Sequence, residues 1–256
     1  MPKSPMQIVP LLTPEEMAGV INLAPKAHLT YHNGPLLTNV QVFTIFWGAA
    51  WLKKSQAKLI PKINQFFDFI VTGSLMDLMA QYSVPGKTIG HGSRIGTATI
   101  SNSEPGNAIP GGREVTDAQI QQALQQFIDA QTIPAPTSNT LYFVYLPPGV
   151  TSLLGAARSC HVFCGYHSHA GNIFYGVEPF ITCAGCTFGE TVDSLIKVSS
   201  HELFEAITDP ASNGWFDNNS GMEIGDICNA SVKKLGGFTV QTEWSNADNA
   251  CVLKPK

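Results

Sequence analysis

The stretch Val198-Ser-Ser-His-Glu-Leu-Phe-Glu-Ala-Ile-Thr-Asp-Pro210 has the residue spacing of a metal-binding helix. It places His201 and Glu205 one helical turn apart, with a second carboxylate, Glu202, directly after the histidine. In the zinc-hydrolase pattern H-E-x-x-H, the two outer residues bind one metal and the inner Glu polarises a metal-bound water. A carboxylate oxygen can replace the second imidazole as a zinc ligand. The motif therefore predicts a zinc site with His201 and Glu205 as ligands and Glu202 as the candidate general base.

The apolar residues of this helix lie on one side. They are Val192, Leu195, Ile196, Leu203 and Ile207. His201 and Glu205 fall on the opposite side, so we expect them to face a cleft or solvent. A solvated polar helix face is the alternative to metal binding for such a pattern.

A catalytic zinc needs about three protein ligands and an open position for water, so the helix alone is insufficient. One source of a third ligand is Cys164-Gly-Tyr-His-Ser-His169, where His167 and His169 would point to the same side of a strand. The other source is a later loop that carries Glu223 and Asp226. We expect His167 or Asp226 to complete the site.

Calcium is the less favoured cation. The pattern Asp217-x-Asn219-x-Gly221 resembles the opening of a calcium loop. However, Cys228 stands where an EF-hand requires a bidentate Glu.

The six cysteines allow two interpretations. An even number in a charge-poor chain indicates disulfides formed in an oxidising compartment, and Cys228 with Cys251 is the most natural pair. Alternatively, Cys160, Cys164, Cys183 and Cys186 form two short pairs that resemble a four-thiolate zinc site.

Composition limits the possible partners and the compartment. Charged residues make up 13% of the 256 residues, about half the usual share, and the net charge is −4 without any Lys/Arg cluster. We therefore expect no nucleic-acid partner and no anionic membrane surface as a partner. No apolar stretch is long enough to span a bilayer. The first ten residues lack the apolar segment of a secretory signal peptide, although the cysteines favour a secreted protein.

The pattern of elements predicts an α/β fold. Residues 41–48 and 140–146 have the β-branched and aromatic composition of buried strands. Residues 55–82 have helical apolar spacing with a break at Gly73, and Thr116 with Gln119 resembles a capping box. Strands are also expected at 92–100, 160–167 and 172–177, before the motif helix. This order predicts one domain in which a mixed central sheet packs on helices in a zincin (metzincin)-like arrangement.

An ordered set of short motifs resembles the phosphate-induced protein (Exordium) family and its microbial relatives. The set comprises Leu36-Leu-Thr-Asn-Val40, Trp47-Gly48, Cys164-Gly-Tyr-His167, Thr191-Val-Asp-Ser-Leu-Ile196, Ser200-His-Glu-Leu-Phe-Glu205, Asp209-Pro210, Asn213-Gly-Trp215 and Glu223-Ile-Gly-Asp-Ile-Cys228. The resemblance spans roughly residues 30 to 251. It implies a secreted or cell-wall protein, linked in plants to growth signalling, with no firmly established biochemical activity.

These observations lead to two functional hypotheses. The first is a secreted zincin-like peptidase in which zinc activates a water, Glu202 accepts its proton and a peptide is the substrate. The second is a non-catalytic extracellular module that binds cell-wall glycan or a partner protein, with a structural metal or disulfides stabilising it. Aromatic rings at Trp215 and Trp244 would suit sugar stacking in that module. In either case residues 1–30 are expected to form an N-terminal extension and residues 31–256 one Exordium-like domain.

Overall fold

A computed structural model describes residues 8–11 and 27–255 of the chain. Its α-helices are α1 (Lys54–Ala57), α2 (Leu59–Ile70), α3 (Ser74–Met79), α4 (Asp117–Asp129) and α5 (Thr191–Thr208). Its strands are β1 (Ile8–Pro10), β2 (Leu29–Tyr31), β3 (Gln41–Trp47), β4 (Ser93–Ile100), β5 (Asn107–Ile109), β6 (Gly112–Thr116), β7 (Thr140–Tyr145), β8 (Val150–Leu154), β9 (Ala157–Arg158), β10 (Phe163–Ala170), β11 (Ile173–Glu178), β12 (Trp215–Asp217), β13 (Val232–Leu235), β14 (Phe238–Gln241), β15 (Glu243–Ser245) and β16 (Ala250–Val252).

The centre of the fold is a mixed six-stranded sheet in the order β1-β10-β11-β7-β3-β4. The four strands β11, β7, β3 and β4 are parallel. Strand β10 runs antiparallel to β11, and the short strand β1 pairs antiparallel with the outer side of β10. Smaller sheets surround this one, namely β5-β6-β8-β9 and the pairs β2-β12, β13-β14 and β15-β16. The described residues thus form a single mixed α/β domain with several sheets.

The central sheet is buried on both faces, as predicted for strands of this composition. Alternate residues of β7 enter different core clusters, with Phe143 and Tyr145 on one face and Tyr142 and Val144 on the other. Helix α4 covers the second face and begins at the predicted capping box of Thr116 with Gln119. Helices α2, α3 and α5 lie on the first face.

Some element boundaries differ from the prediction. The helical segment expected over 55–82 is divided into α1, α2 and α3, and the predicted break at Gly73 lies directly before α3. Strand β10 begins at Phe163 and not at Cys160, because Cys160 has a left-handed backbone conformation (φ 62°) that a strand does not admit. Most of the predicted extension 1–30 lies outside the described residues. Of its described part, Ile8–Pro10 forms β1 in the central sheet.

Helix α5 is buried over almost its whole length, with His201 and Glu205 fully buried. The prediction that these two side chains face a cleft or solvent is therefore wrong. Strands β10, β11, β14 and β1 and helix α2 all pack against this helix. The polar side of α5 faces other polar side chains of the protein instead of water. Within the described part of the chain, no helix has the length and apolar character needed to cross a membrane.

Two disulfides join segments that precede α5, and a third joins segments that follow it. Cys228 pairs with Cys251, which confirms the predicted pair. Cys160 pairs with Cys183 and Cys164 pairs with Cys186. The alternative of a four-thiolate zinc site is therefore wrong, because all four sulfur atoms are consumed in covalent bonds.

Candidate metal centre

His201 presents the lone pair of one ring nitrogen to a group of acceptors. Gln241 donates through Nε2 to the Gly225 carbonyl (2.7 Å), so its Oε1 is left to accept from His201 Nδ1 (3.1 Å). The proton of the neutral imidazole is therefore on Nδ1, and Nε2 carries the lone pair. His201 Nε2 lies 2.9 Å from Glu205 Oε1 and 3.8 Å from Asp226 Oδ1. Three hydrogen-bond acceptors, His201 Nε2, Glu205 Oε1 and Asp226 Oδ1, thus lie close together.

Glu205 and Asp226 complete this first set of ligand atoms, which we call triad 1 (His201, Glu205 and Asp226). Glu205 follows His201 by one turn of α5, so both side chains leave the same helix face. Asp226 reaches them from the 3₁₀ turn Asp226–Cys228, and its backbone N–H donates to Glu205 Oε1 (3.1 Å). The three ligand atoms lie within 4.8 Å of one another. One imidazole and two carboxylates form a donor set suited to zinc.

Gly225 permits this close approach of the loop to the helix. A Cβ at this position would lie 2.9 Å from both Cγ and Nδ1 of His201 and 3.0 Å from Glu205 Oε1. The imidazole ring is held by its hydrogen bond to Gln241, so a shift of the ring would strain that bond. Glycine is therefore required here so that Asp226 can reach the helix.

His167 of β10 lies at the centre of a second set of atoms, which we call triad 2 (His167, Glu205 and Glu223). His167 Nδ1 is 3.0 Å from Glu202 Oε2 and 3.5 Å from Glu205 Oε2, whereas Nε2 is 3.6 Å from Glu223 Oε2. One ligand atom from each member of triad 2 lies within 4.8 Å of the others. Glu205 therefore belongs to both triads.

Glu202 has both carboxylate oxygens engaged. Oε2 accepts from His167 Nδ1 (3.0 Å), and Oε1 accepts from the Val9 backbone N–H of β1 (3.2 Å). The side chain is fully buried between α5, β10 and β1. A carboxylate that accepts from a histidine in this way fixes the orientation of the ring and leaves its other nitrogen available to a metal.

Several polar atoms around the two triads have no hydrogen-bond partner among the described residues, although they are completely buried. These atoms are His167 Nε2, His201 Nε2, Glu205 Oε2, Asp209 Oδ2, both carboxylate oxygens of Glu178, Glu223 and Glu243, and Asp226 Oδ1. The buried ammonium group in this region is that of Lys197, which donates to Asn229 Oδ1 (2.5 Å). Burying carboxylates is costly unless protons, cations or donors compensate them, so the arrangement calls for added positive charge.

The pKa values of the acids and imidazoles describe the metal-free site. Burial would lower the pKa of His167, but Glu202 and Glu205 outweigh it and raise the pKa to about 10. Burial would raise the pKa of Glu205, whereas the imidazoles of His201 and His167 lower it to about 2. Burial, reinforced by the negative charge of Glu205, raises the pKa of both Glu223 and Asp226. Without a metal, the raised pKa values favour the protonated forms of Glu223 and Asp226, which reduces the repulsion among these buried acids.

The structure brings together all of the residues predicted for the site. His201, Glu205 and Asp226 form one ligand set, and His167 lies beside them with Glu202. His167 and Asp226 were expected to be alternatives for a single third ligand, but each belongs to a different triad. His169 lies two residues further along β10, where its ring centroid is 6.4 Å from that of Phe174.

Two other expected sites are explained by hydrogen bonding and packing. Asp217 accepts from the backbone N–H groups of Asn219 (3.0 Å) and Ser220 (2.8 Å), which makes its calcium-like motif a hydrogen-bonded turn. Trp244 is buried in the core, so it cannot offer a face to a sugar. Trp215 is partly buried and donates through Nε1 to the Tyr82 carbonyl (2.8 Å).

The sequence interpretation missed the residues that support the ligands. Gln241, Glu243, Glu178 and Lys197 are buried polar residues that surround the triads. Glu178 ends a strand and Gln241 ends another, and isolated polar residues at strand ends carry no distinctive spacing. The only sequence signal for these residues was an acid in an apolar segment of a charge-poor chain. Glu243, between Val240 and Trp244, is an example.

The fold and the site define a class of protein: a disulfide-stabilised α/β domain with a buried histidine–carboxylate cluster under an edge of its central sheet. No family model matches the chain. The chain is similar to Protein EXORDIUM-like 5 of Arabidopsis thaliana, with 23% identity over 273 residues that cover 92% of this chain and 72% of that protein. It is also similar to Protein EXORDIUM-like 3 of the same plant, with 25% identity over 254 residues that cover 85% and 73%.

These similarities over most of the chain support the Exordium resemblance that the ordered motifs indicate. Together with the three disulfides, they are consistent with an extracellular protein. A solved structure described as "Structure of a chaperone-substrate complex" matches 62% of this chain and 25% of its own chain, with a TM-score of 0.31 and 14% identity. A TM-score at that level supports no conclusion about fold or function.

Proposed function

We propose that this protein is a secreted, non-catalytic binding module whose core is stabilised by a divalent cation held by triad 1. The observation that carries the proposal is the convergence of His201 Nε2, Glu205 Oε1 and Asp226 Oδ1, three acceptor atoms within 4.8 Å of one another in a fully buried place. Acceptors without donors between them repel one another, and a cation turns this repulsion into attraction.

Zinc is the cation that fits this donor set best. Imidazole nitrogen favours zinc over the hard cations, whereas calcium takes six to eight oxygen ligands. The second coordination shell supports the same assignment, because Gln241 fixes the proton of His201 on Nδ1 and frees Nε2.

A structural role fits the surroundings of triad 1 better than a catalytic one. A catalytic zinc keeps a position open to water and substrate, whereas His201, Glu205 and Asp226 are shielded from solvent. Glu202, the candidate base, has one oxygen on the Val9 N–H and the other on His167. We therefore assign Glu202 to positioning His167. A wall glycan or a partner protein is our proposed ligand of the module, and it would bind away from the buried site.

Thermal unfolding with and without zinc tests the stabilising cation. Protein purified with a chelator throughout is compared with the same protein after addition of zinc at about a hundredfold excess over the dissociation constant. Binding to the folded state alone adds about 2.7 kcal/mol, which raises Tm by about 5–10 °C for a domain of this size. His201→Ala should remove the response and the exposed His91→Ala should retain it. An unchanged Tm, together with no metal in elemental analysis, would reject the proposal.

A zinc-dependent peptidase with the predicted zincin-like arrangement is a second candidate, favoured by one observation. Strand β1 lies antiparallel along β10, and its Val9 N–H reaches Glu202, which is how an extended peptide would lie beside a catalytic carboxylate. In that case β1 would have to leave before a substrate enters. Hydrolysis of a fluorogenic peptide library by zinc-loaded protein, lost in Glu202→Gln but kept in the exposed control Glu104→Gln, would favour this candidate. Absence of hydrolysis in all three proteins would remove it.

A further inference from the structure

The cluster contains more negative charge than a single divalent ion balances. The two triads contain three carboxylates, those of Glu205, Glu223 and Asp226. A fourth carboxylate, that of Glu202, accepts a hydrogen bond from His167 of triad 2. Ionised, they carry four negative charges, and both imidazoles are neutral when they act as ligands. One divalent cation at triad 1 would leave two of these charges buried without compensation.

Glu205 is arranged to serve two ions at once. Its Oε1 faces triad 1, at 2.9 Å from His201 Nε2, whereas its Oε2 lies on the side of triad 2, at 3.5 Å from His167 Nδ1. Oε2 has no hydrogen-bond partner within the described residues. A carboxylate with one oxygen in each of two ligand sets is the usual bridge of a two-metal site, where the ions lie about 3.5–4 Å apart.

His167 and Glu223 supply the ends of the second set. His167 Nδ1 donates to Glu202, so Nε2 is the nitrogen that a metal would bind once it displaces the second ring proton, and that atom lies 3.6 Å from Glu223 Oε2. His167 Nε2 and both oxygens of Glu223 are completely buried and lack partners in the part of the chain that the structure describes. The buried carboxyl of Asp209 hydrogen-bonds to Glu223 when one of the two acids is protonated, so a further acid adjoins triad 2.

We infer that the protein binds two divalent cations, one at triad 1 and one at triad 2, bridged by the carboxylate of Glu205. The inference rests on the proposed metal site and extends it to a dinuclear centre. Two divalent cations balance the four carboxylates, and Glu202 acts as the outer partner of His167. Both ions are enclosed, so the pair cross-links α5, β10 and the loop that contains Glu223 and Asp226.

Metal stoichiometry distinguishes the outcomes. Full-length protein with its disulfides intact is dialysed against buffered zinc, and bound metal per chain is measured by elemental analysis at increasing free zinc. We expect two zinc ions per chain. One ion per chain at saturation would overturn the dinuclear centre and leave triad 1 intact. No bound zinc would overturn both the dinuclear centre and the proposed metal-stabilised module.

Isosteric variants locate the two ions. Glu223→Gln should remove the ion at triad 2 and Asp226→Asn the ion at triad 1, so each should reduce the stoichiometry from two to one. Glu205→Gln, which alters both triads, should lower it further. Glu104→Gln, which removes an exposed acid outside both triads, should retain two ions and serves as the control. Two ions bound to Glu223→Gln would refute the assignment of triad 2. Near-ultraviolet circular dichroism establishes folding of each variant, and the wild-type stoichiometry decides the proposal if a variant does not fold.

Discussion

Glu178 offers a test of how the protein compensates buried acids outside the triads. The residue ends β11, is fully buried, and has no partner for either carboxylate oxygen among the described residues. Burial, assisted by the negative charge of Glu202, raises its pKa well above the usual value of 4.5. The folded protein therefore keeps a proton that the unfolded chain loses. This contribution to stability is fully present below the unfolded pKa and is lost as the pH rises towards the folded pKa.

Replacing Glu178 with Gln removes this titration while preserving the shape of the side chain. The slope is about 1.4 kcal/mol per pH unit for one retained proton. Between about pH 4.5 and pH 6.5, the free energy of unfolding of the wild type should thus fall by about 2.3 kcal/mol relative to Glu178→Gln. The comparison is made by urea unfolding, monitored by tryptophan fluorescence, in the presence of a chelator.

The exposed Glu104, replaced by Gln, is the control for the removal of one carboxylate from the surface. The reasoning fails if the difference between wild type and Glu178→Gln stays constant over this pH range. It also fails if Glu178→Gln becomes increasingly destabilising as the pH rises. That result would mean that Glu178 is ionised in the folded protein and paired with a cation, for which Lys197 is the nearest described candidate.

Three further predictions concern the ligands and their supports. Gly225→Ala should lower the bound zinc measured by elemental analysis, because the new Cβ would lie 2.9 Å from the His201 ring. Gly90→Ala is the control and should leave the bound zinc unchanged, because its Cβ would lie 3.4 Å from its nearest neighbour. Gln241→Ala should weaken zinc affinity about 10–100-fold in competition with a chromogenic chelator, since the proton on His201 Nδ1 loses its acceptor. Replacing both Cys228 and Cys251 by Ser should lower the free energy of unfolding by about 3.4 kcal/mol in urea, as the bond closes a loop of 23 residues. No change in these three measurements would contradict the respective role.

Local patterns predicted those parts of the fold and site that depend on neighbours in sequence. Helical periodicity placed His201 and Glu205 on one face of α5, and the capping box of Thr116 with Gln119 marked the start of α4. Strand composition identified β3 and β7 as buried on both faces. These signals depend on residues close together in the sequence, so they can be recognised without knowledge of the tertiary structure.

The environment of α5 was not predictable in the same way. One apolar stripe on a helix indicates which face enters the core, but the opposite face is exposed only if nothing else covers it. Here β14 and the loop before the turn Asp226–Cys228 return to α5 from far along the chain and bury its polar face. The separation of His167 and Asp226 into two triads follows from that packing, and spacing along the sequence carries no information about it.

The role of Glu202 shows why a motif does not determine chemistry. In the H-E-x-x-H pattern this position supplies a general base, which needs a free oxygen beside a metal-bound water. In this protein Glu202 accepts from His167 and from the Val9 N–H, so each of its oxygens is already held by a donor. Because β1 supplies one of those two donors, a base role would require β1 to separate from β10. Under the two proposals, Glu202 would therefore orient His167 while β1 covers it, and it would serve as a base only after β1 had separated.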